Sequence, residues 1–170
     1  MVNKTRVRRT DEELRGATTH LFYEIQMLRG TCQYLALSKD QFTTNVCIES
    51  FTSHARALLH FLYPEGKIDA DDVLAEDFFD DRAQWEKARG LKMPAALEKI
   101  RSRVGKEIVH LTFSRLNVRA ETKGWDVVAI TGQLNAKLKT FAESASRIER
   151  KAREDLARDA TDSRIAIRDP

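Results

Sequence analysis

Behind Thr10-Asp11-Glu12-Glu13, a stripe recurs at alternating spacings of four and three: Leu14, Thr18, Leu21, Ile25, Leu28, Cys32 and Leu35. That rhythm keeps one side of a long helix turned toward a core. The Thr-x-x-Glu start reads as a capping box, and the helix is expected to end near Ser38-Lys39-Asp40. A second helix over about 41–63 places Cys47, Phe51, His54, Ala55, Leu58 and Leu62 inward, and Pro64-Glu65-Gly66 stops it. Met93-Pro94 opens a third, with proline in its first turn and Leu97, Ile100, Val104, Ile108 and Leu111 inward. Residues 117–124 form a polar break. A fourth helix from Trp125-Asp126 carries Val127, Ile130, Leu134, Leu138, Phe141, Ala145, Ile148 and Ala152. Its roughly 30 residues would span about 45 Å. Its charged end, 147–159, is expected to protrude or to pack on another chain.

Between the second and third helices lies an acidic connection. Residues 65–81 hold eight acids and one base, interrupted by Val73-Leu74-Ala75 and Phe78-Phe79. These apolar stretches predict a short helical piece within 67–90 that pins the connection to the bundle, with Trp85 helping; Trp125 anchors the start of the fourth helix. The expected fold is all-α: an up-and-down bundle of four main helices with a short helical insert between helices two and three. A length of 170 residues fits one domain, placed at 11–160, after a basic arm at 1–10 and before a tail at 161–170. Seven glycines and three prolines are too few for the turns of an all-β fold. Two cysteines make no disulfide framework; with no signal or spanning segment in view, Cys32 and Cys47 read as reduced thiols of a cytoplasmic protein, with no membrane partner. The stripes of helices one and four serve a dimer as well as a core, so a homodimer is expected.

Charge narrows the chemistry. The net charge of +3 conceals +4 in the first ten residues and −7 over 65–81. Basic surface permits a nucleic-acid ligand, and the acidic segment offers a docking site for a protein partner. The sequence has no glycine-rich phosphate loop and no zinc spacing. Asp69, Asp71 and Asp72 lack the central glycine and terminal glutamate of a calcium loop, so a solvated connector is the default. No metal site and no cofactor is expected. On the third helix, Lys99, Arg103, Lys106 and His110 border the apolar stripe; in an α-helix, residues 103 and 110 are about 20° from superposition. Fixed cations beside an imidazole that titrates near neutrality suit a phosphodiester.

An arginine followed by six residues and then a histidine, Arg103 to His110, on a late helix of an all-α bundle resembles the HEPN superfamily. The resemblance implies a small helical domain in defence, stress or RNA turnover, many relatives being metal-independent endoribonucleases. It also implies a dimer in which Arg103 holds the phosphate, His110 moves protons, and the RNA's own 2′-hydroxyl attacks. Gly105 departs from a strong helical sequence within the motif. Residues 50–58, 72–78 and 106–112 are also similar to blocks of an uncharacterised group of small bacterial helical proteins, without a known activity to carry over.

His54, on the inward stripe, must find a hydrogen-bond partner. It reads either as a core histidine donating to a carbonyl or to Asp77, or as one member of a polar, substrate-binding site with Arg56, Asp77 and His110. His20 and His60 read as surface or structural residues. Three functions follow. The first is an RNA-binding domain or endoribonuclease using Arg103 and His110, with Lys99 and Lys106 on the substrate. The second is a non-catalytic interaction module, such as one half of a toxin–antitoxin-like pair. The third is a small-molecule enzyme built on His54, Asp77 and His110.

Overall fold

A computed structural model describes residues 6–90, 92–109, 113, 116 and 124–161. Among these residues there are six α-helices and no strand. Helix α1, Asp11–Leu37, begins on the expected box: the Thr10 hydroxyl accepts from the Glu13 amide at 3.2 Å, and the Glu13 carboxylate accepts from the Thr10 amide at 2.7 Å. Helix α2, Gln41–Leu62, is capped by Asp40, which accepts from the Thr43 amide at 2.8 Å. A three-residue connection folds α2 back along α1.

The connection to the next long helix contains a 3-10 turn, Ala75–Phe78, and helix α3, Arg82–Arg89. Phe78, Phe79 and Trp85 insert beside Phe61 and Phe141. Phe141 meets Phe61, Phe78 and Trp85 edge-on, with ring centroids 5.0, 5.4 and 5.8 Å away. Such pairs add about 0.5–1.5 kcal/mol each beyond the area they bury. The Trp85 indole N–H donates to the Leu62 carbonyl at 3.1 Å, so the tryptophan also closes the end of α2. Helix α4, Ala95–Arg103, runs into a π-helical turn, Val104–Val109. Helix α5, Val127–Ser144, starts on Asp126, which accepts from the Ala129 amide at 3.0 Å. Leu14, Leu21, Ile25 and Leu28 of α1, Phe51, Leu58 and Leu62 of α2, and Ile130, Leu134, Leu138 and Phe141 of α5 share one core.

The expected single fourth helix is two helices. Helix α5 ends at Ser144, and α6 covers Arg150–Thr161. The apolar stripe continues through Ala145 and Ile148, which hid the break. Tertiary bonding makes it: the Arg147 amide donates to the Phe78 carbonyl at 3.0 Å, and the Asp80 amide donates to the Ser146 hydroxyl at 3.0 Å. Backbone groups that would have continued the helix are spent on the 3-10 turn instead. The charged end therefore folds back on its own chain, where Ile148 and Leu156 are buried. The stripes of α1 and α5 are likewise buried within the one chain.

Candidate nucleic-acid interface

The basic arm and the acidic segment satisfy each other. Arg6 donates to Asp77 Oδ2 at 2.5 Å and to the Asp72 carbonyl at 3.0 Å. Arg8 reaches Asp80 at 3.1 Å, and Arg9 donates to the Ala70 carbonyl. Arg147 completes the clasp by donating to the Arg9 carbonyl at 2.7 Å, Asp11 Oδ1 at 2.7 Å and the Asp77 carbonyl at 3.1 Å. The arm is thus a strap across the insert. Elsewhere in the segment, Glu76 pairs with Arg82, Glu65 with Arg101, and Asp69 with Lys67. A protein partner docking on 65–81 would have to displace these bonds.

The Asp72 carboxylate lies beside the strap, accepting from the Asp69 amide and meeting the His60 ring. Burial works to raise its pKa, but the Asp69 amide, the His60 ring and the Arg6 guanidinium outweigh it, and the carboxyl lies below its ordinary value of 3.8. A carboxyl depressed in the folded state stabilises fully above its unfolded value and loses that contribution as pH falls through the lower folded one. Asp72→Asn should therefore be less stable than the parent at neutral pH, and the gap should close as pH drops below 3.8. Urea unfolding across that range checks it; a gap independent of pH would contradict it.

With the strap closed, the remaining positive charge concentrates on α3, α4 and the turn after them. Residues 82–109 hold eight bases and three acids, a net of +5. Lys87, Lys92, Lys99 and Lys106 are exposed there. Arg103 sits in a built setting: its Nε and Nη2 donate to the two Glu107 oxygens at 2.8 and 2.9 Å, and Nη1 donates to the Gly124 carbonyl at 3.1 Å. Its guanidinium lies 4.1 Å from the centroid of the Trp125 ring. Trp125 also packs against the core, which joins its expected anchoring role to this contact.

The π turn changes the geometry expected of the motif. With i→i+5 bonding each residue rotates by less than the 100° of an α-helix, so α-helical phase does not apply over Val104–Val109. Gly105, a weak helix former, lies in that turn. His110 itself lies outside the described residues.

The expected polar cluster is not assembled as drawn. His54 is half-buried, and its Nδ1 is 2.8 Å from Glu24 Oε2 of α1, with the Tyr23 ring edge-on at 5.8 Å. Asp77, expected to meet His54, is instead buried under Arg6 and accepts from the Leu74 amide at 2.9 Å. Asp77 is therefore a structural anchor of the strap. Arg56 is two residues from His54, about 200° around the helix. It lines a separate cleft of about 190 Å³ with His60, Glu65, Gly66 and Arg101. Arg101, which no local pattern in the sequence marks, donates to the Tyr63 carbonyl and to Glu65. His60 approaches Asp72 at 3.2 Å. Cys32 and Cys47 are free thiols. Among the described residues no helix is long and apolar enough to cross a membrane, and no three His, Cys, Asp or Glu side chains are grouped to hold a metal ion.

Comparison with protein-family models, with curated proteins and with solved structures gives no match to this chain.

Proposed function

We propose that the chain is an RNA-binding helical domain that cleaves RNA without a metal ion, as the HEPN resemblance implies. The observation that supports it is the net +5 of residues 82–109, with Lys87, Lys92, Lys99 and Lys106 exposed on that stretch. Lys99 and Lys106 would contact the phosphodiester backbone, and His110 would transfer the proton. Arg103 can hold a phosphate only if Glu107 gives it up, a bidentate exchange of carboxylate for phosphate that a planar guanidinium suits. Glu107→Gln removes the competing charge and should tighten RNA binding two- to tenfold.

Labelled single-stranded RNA in a salt titration tests the ligand class. Each lost phosphate contact lowers the slope of log K on log salt by about 0.7. Lys99→Ala with Lys106→Ala should weaken binding and lower the slope by about 1.4. An unchanged slope would remove this face from the interface. The prior engagement of Arg103 with Glu107 favours a second reading, a non-catalytic interaction module, which would bind without cutting.

A further inference from the structure

Beyond the RNA reading, and independently of it, the turn between the first two helices points to a second copy of this chain. None of residues 32–50 is buried; Cys32 and Leu35 pack against the edge of the core, where the end of the α1–α2 hairpin leaves it. The outward side of the hairpin end carries large exposed apolar side chains among polar ones such as Asn45 and Glu49. Tyr23 is 53% exposed, Tyr34 65% and Leu37 56% on α1; Phe42 is 78% and Val46 49% exposed on α2. By helical phase, the α1 three lie opposite the Leu14–Leu28 stripe, and the α2 pair lies opposite Phe51, Leu58 and Leu62. Both helices therefore turn apolar side chains away from the domain's own core.

Size and charge select the occupant. At about 200 Å² per aromatic side chain, the three rings alone leave roughly 400 Å² uncovered. That reaches the size of the largest apolar patch an ordinary monomer carries. It is also about half of the ~800 Å² each partner gives to a standard interface, before Leu37, Val46 and a polar rim are counted. Residues 32–50 hold only Lys39, Asp40 and Glu49 as charges, three in nineteen, against 32% across the chain. Depletion of charge marks the centre of an interface. A two-fold contact sets a patch against itself; a nearly neutral patch meets its copy without repulsion, whereas the basic 82–109 face would repel its own.

We propose that two chains pair through the outer faces of their α1–α2 hairpins, making a four-helix layer in which Tyr34, Leu37, Phe42 and Val46 meet their two-fold mates. This places the contact away from the α1 and α5 stripes, which are used inside each chain. Sedimentation equilibrium of the full chain without RNA should give twice 19.5 kDa. Tyr34→Asp with Phe42→Asp should halve that mass with the helical circular dichroism retained, while Lys99→Glu with Lys106→Glu should leave the dimer intact. A monomeric parent at 100 µM, a mass that keeps rising with concentration, or a folded Asp variant that stays dimeric would overturn the pairing. Should the Asp variant fail to fold, benzoylphenylalanine at position 42 decides: cross-links into 23–46 of a second copy support the interface, and their absence or cross-links into 82–109 overturn it. Loss of RNA binding would not change any of these readings.

Discussion

Asp77→Ala is expected to cost about 3–5 kcal/mol of folding stability, the penalty for removing one member of a buried ion pair. Arg6 and Asp77 have side chains 11% and 5% exposed and lie 2.5 Å apart. Arg6 also buries Nε and Nη1 without a hydrogen-bond partner, so without the carboxylate it becomes a buried, uncompensated cation. The Leu74 amide loses its acceptor as well. For a chain of this length the loss corresponds to an unfolding midpoint lower by roughly 6–20 °C. Asp80→Ala supplies the contrast. Its partner Arg8 is largely in solvent, and an exposed pair of this kind contributes about 0–1 kcal/mol. Equal midpoints for the two variants would mean that the strap is not a structural element.

The second large effect concerns the chemistry. His110→Ala is expected to lower RNA cleavage by about 10²- to 10⁴-fold, the range for loss of a general acid or base. Affinity for uncut RNA should stay within about twofold if Lys99 and Lys106 supply the phosphate contacts, as proposed. Arg103→Lys is the sharper companion. It keeps the charge but loses the two-pronged fork and the flat face over Trp125. Cleavage should fall while the salt slope changes little. Full cleavage by His110→Ala would leave the motif without a catalytic role.

Much of the fold was legible because helices advertise themselves locally. The Thr10–Glu13 box, the Asp40 cap and the Pro64-Glu65-Gly66 stop each lie within a few residues of the ends they define, and α1 and α2 match the expected limits closely. Trp85 and the Phe78-Phe79 pair were readable as anchors, since large aromatics inside an acidic stretch have little reason to stay in water. What escaped depends on partners far along the chain. Arg6 and Asp77 are 71 residues apart, and their only signal was an arm of +4 in the same chain as a segment of −7. Arg147 breaks the fourth helix by bonding to residues 9, 11, 77 and 78, while the local stripe through Ala145 and Ile148 argues for continuity.

At the candidate site, Lys99 and Arg103 of α4 were readable from the sequence, but Arg101 and the wiring of these bases were not. Glu107, four residues after Arg103, is an ordinary i,i+4 partner and was a visible competitor for the guanidinium. The His54 position was placed correctly on the inward side of α2, yet its partner came from α1 rather than from the insert. Helical phase alone cannot say which neighbouring helix supplies a carboxylate. The π turn followed from Gly105 only in hindsight; glycine weakens an α-helix without specifying what replaces it.

Incubation of the full chain with end-labelled single-stranded RNA in EDTA bears most directly on whether this basic helical domain acts on RNA. The expected result is cleavage into fragments ending in a 2′,3′-cyclic phosphate and a 5′-hydroxyl, abolished in His110→Ala at unchanged circular dichroism. Intact RNA, with no retention of RNA by the protein even at low salt, would contradict it.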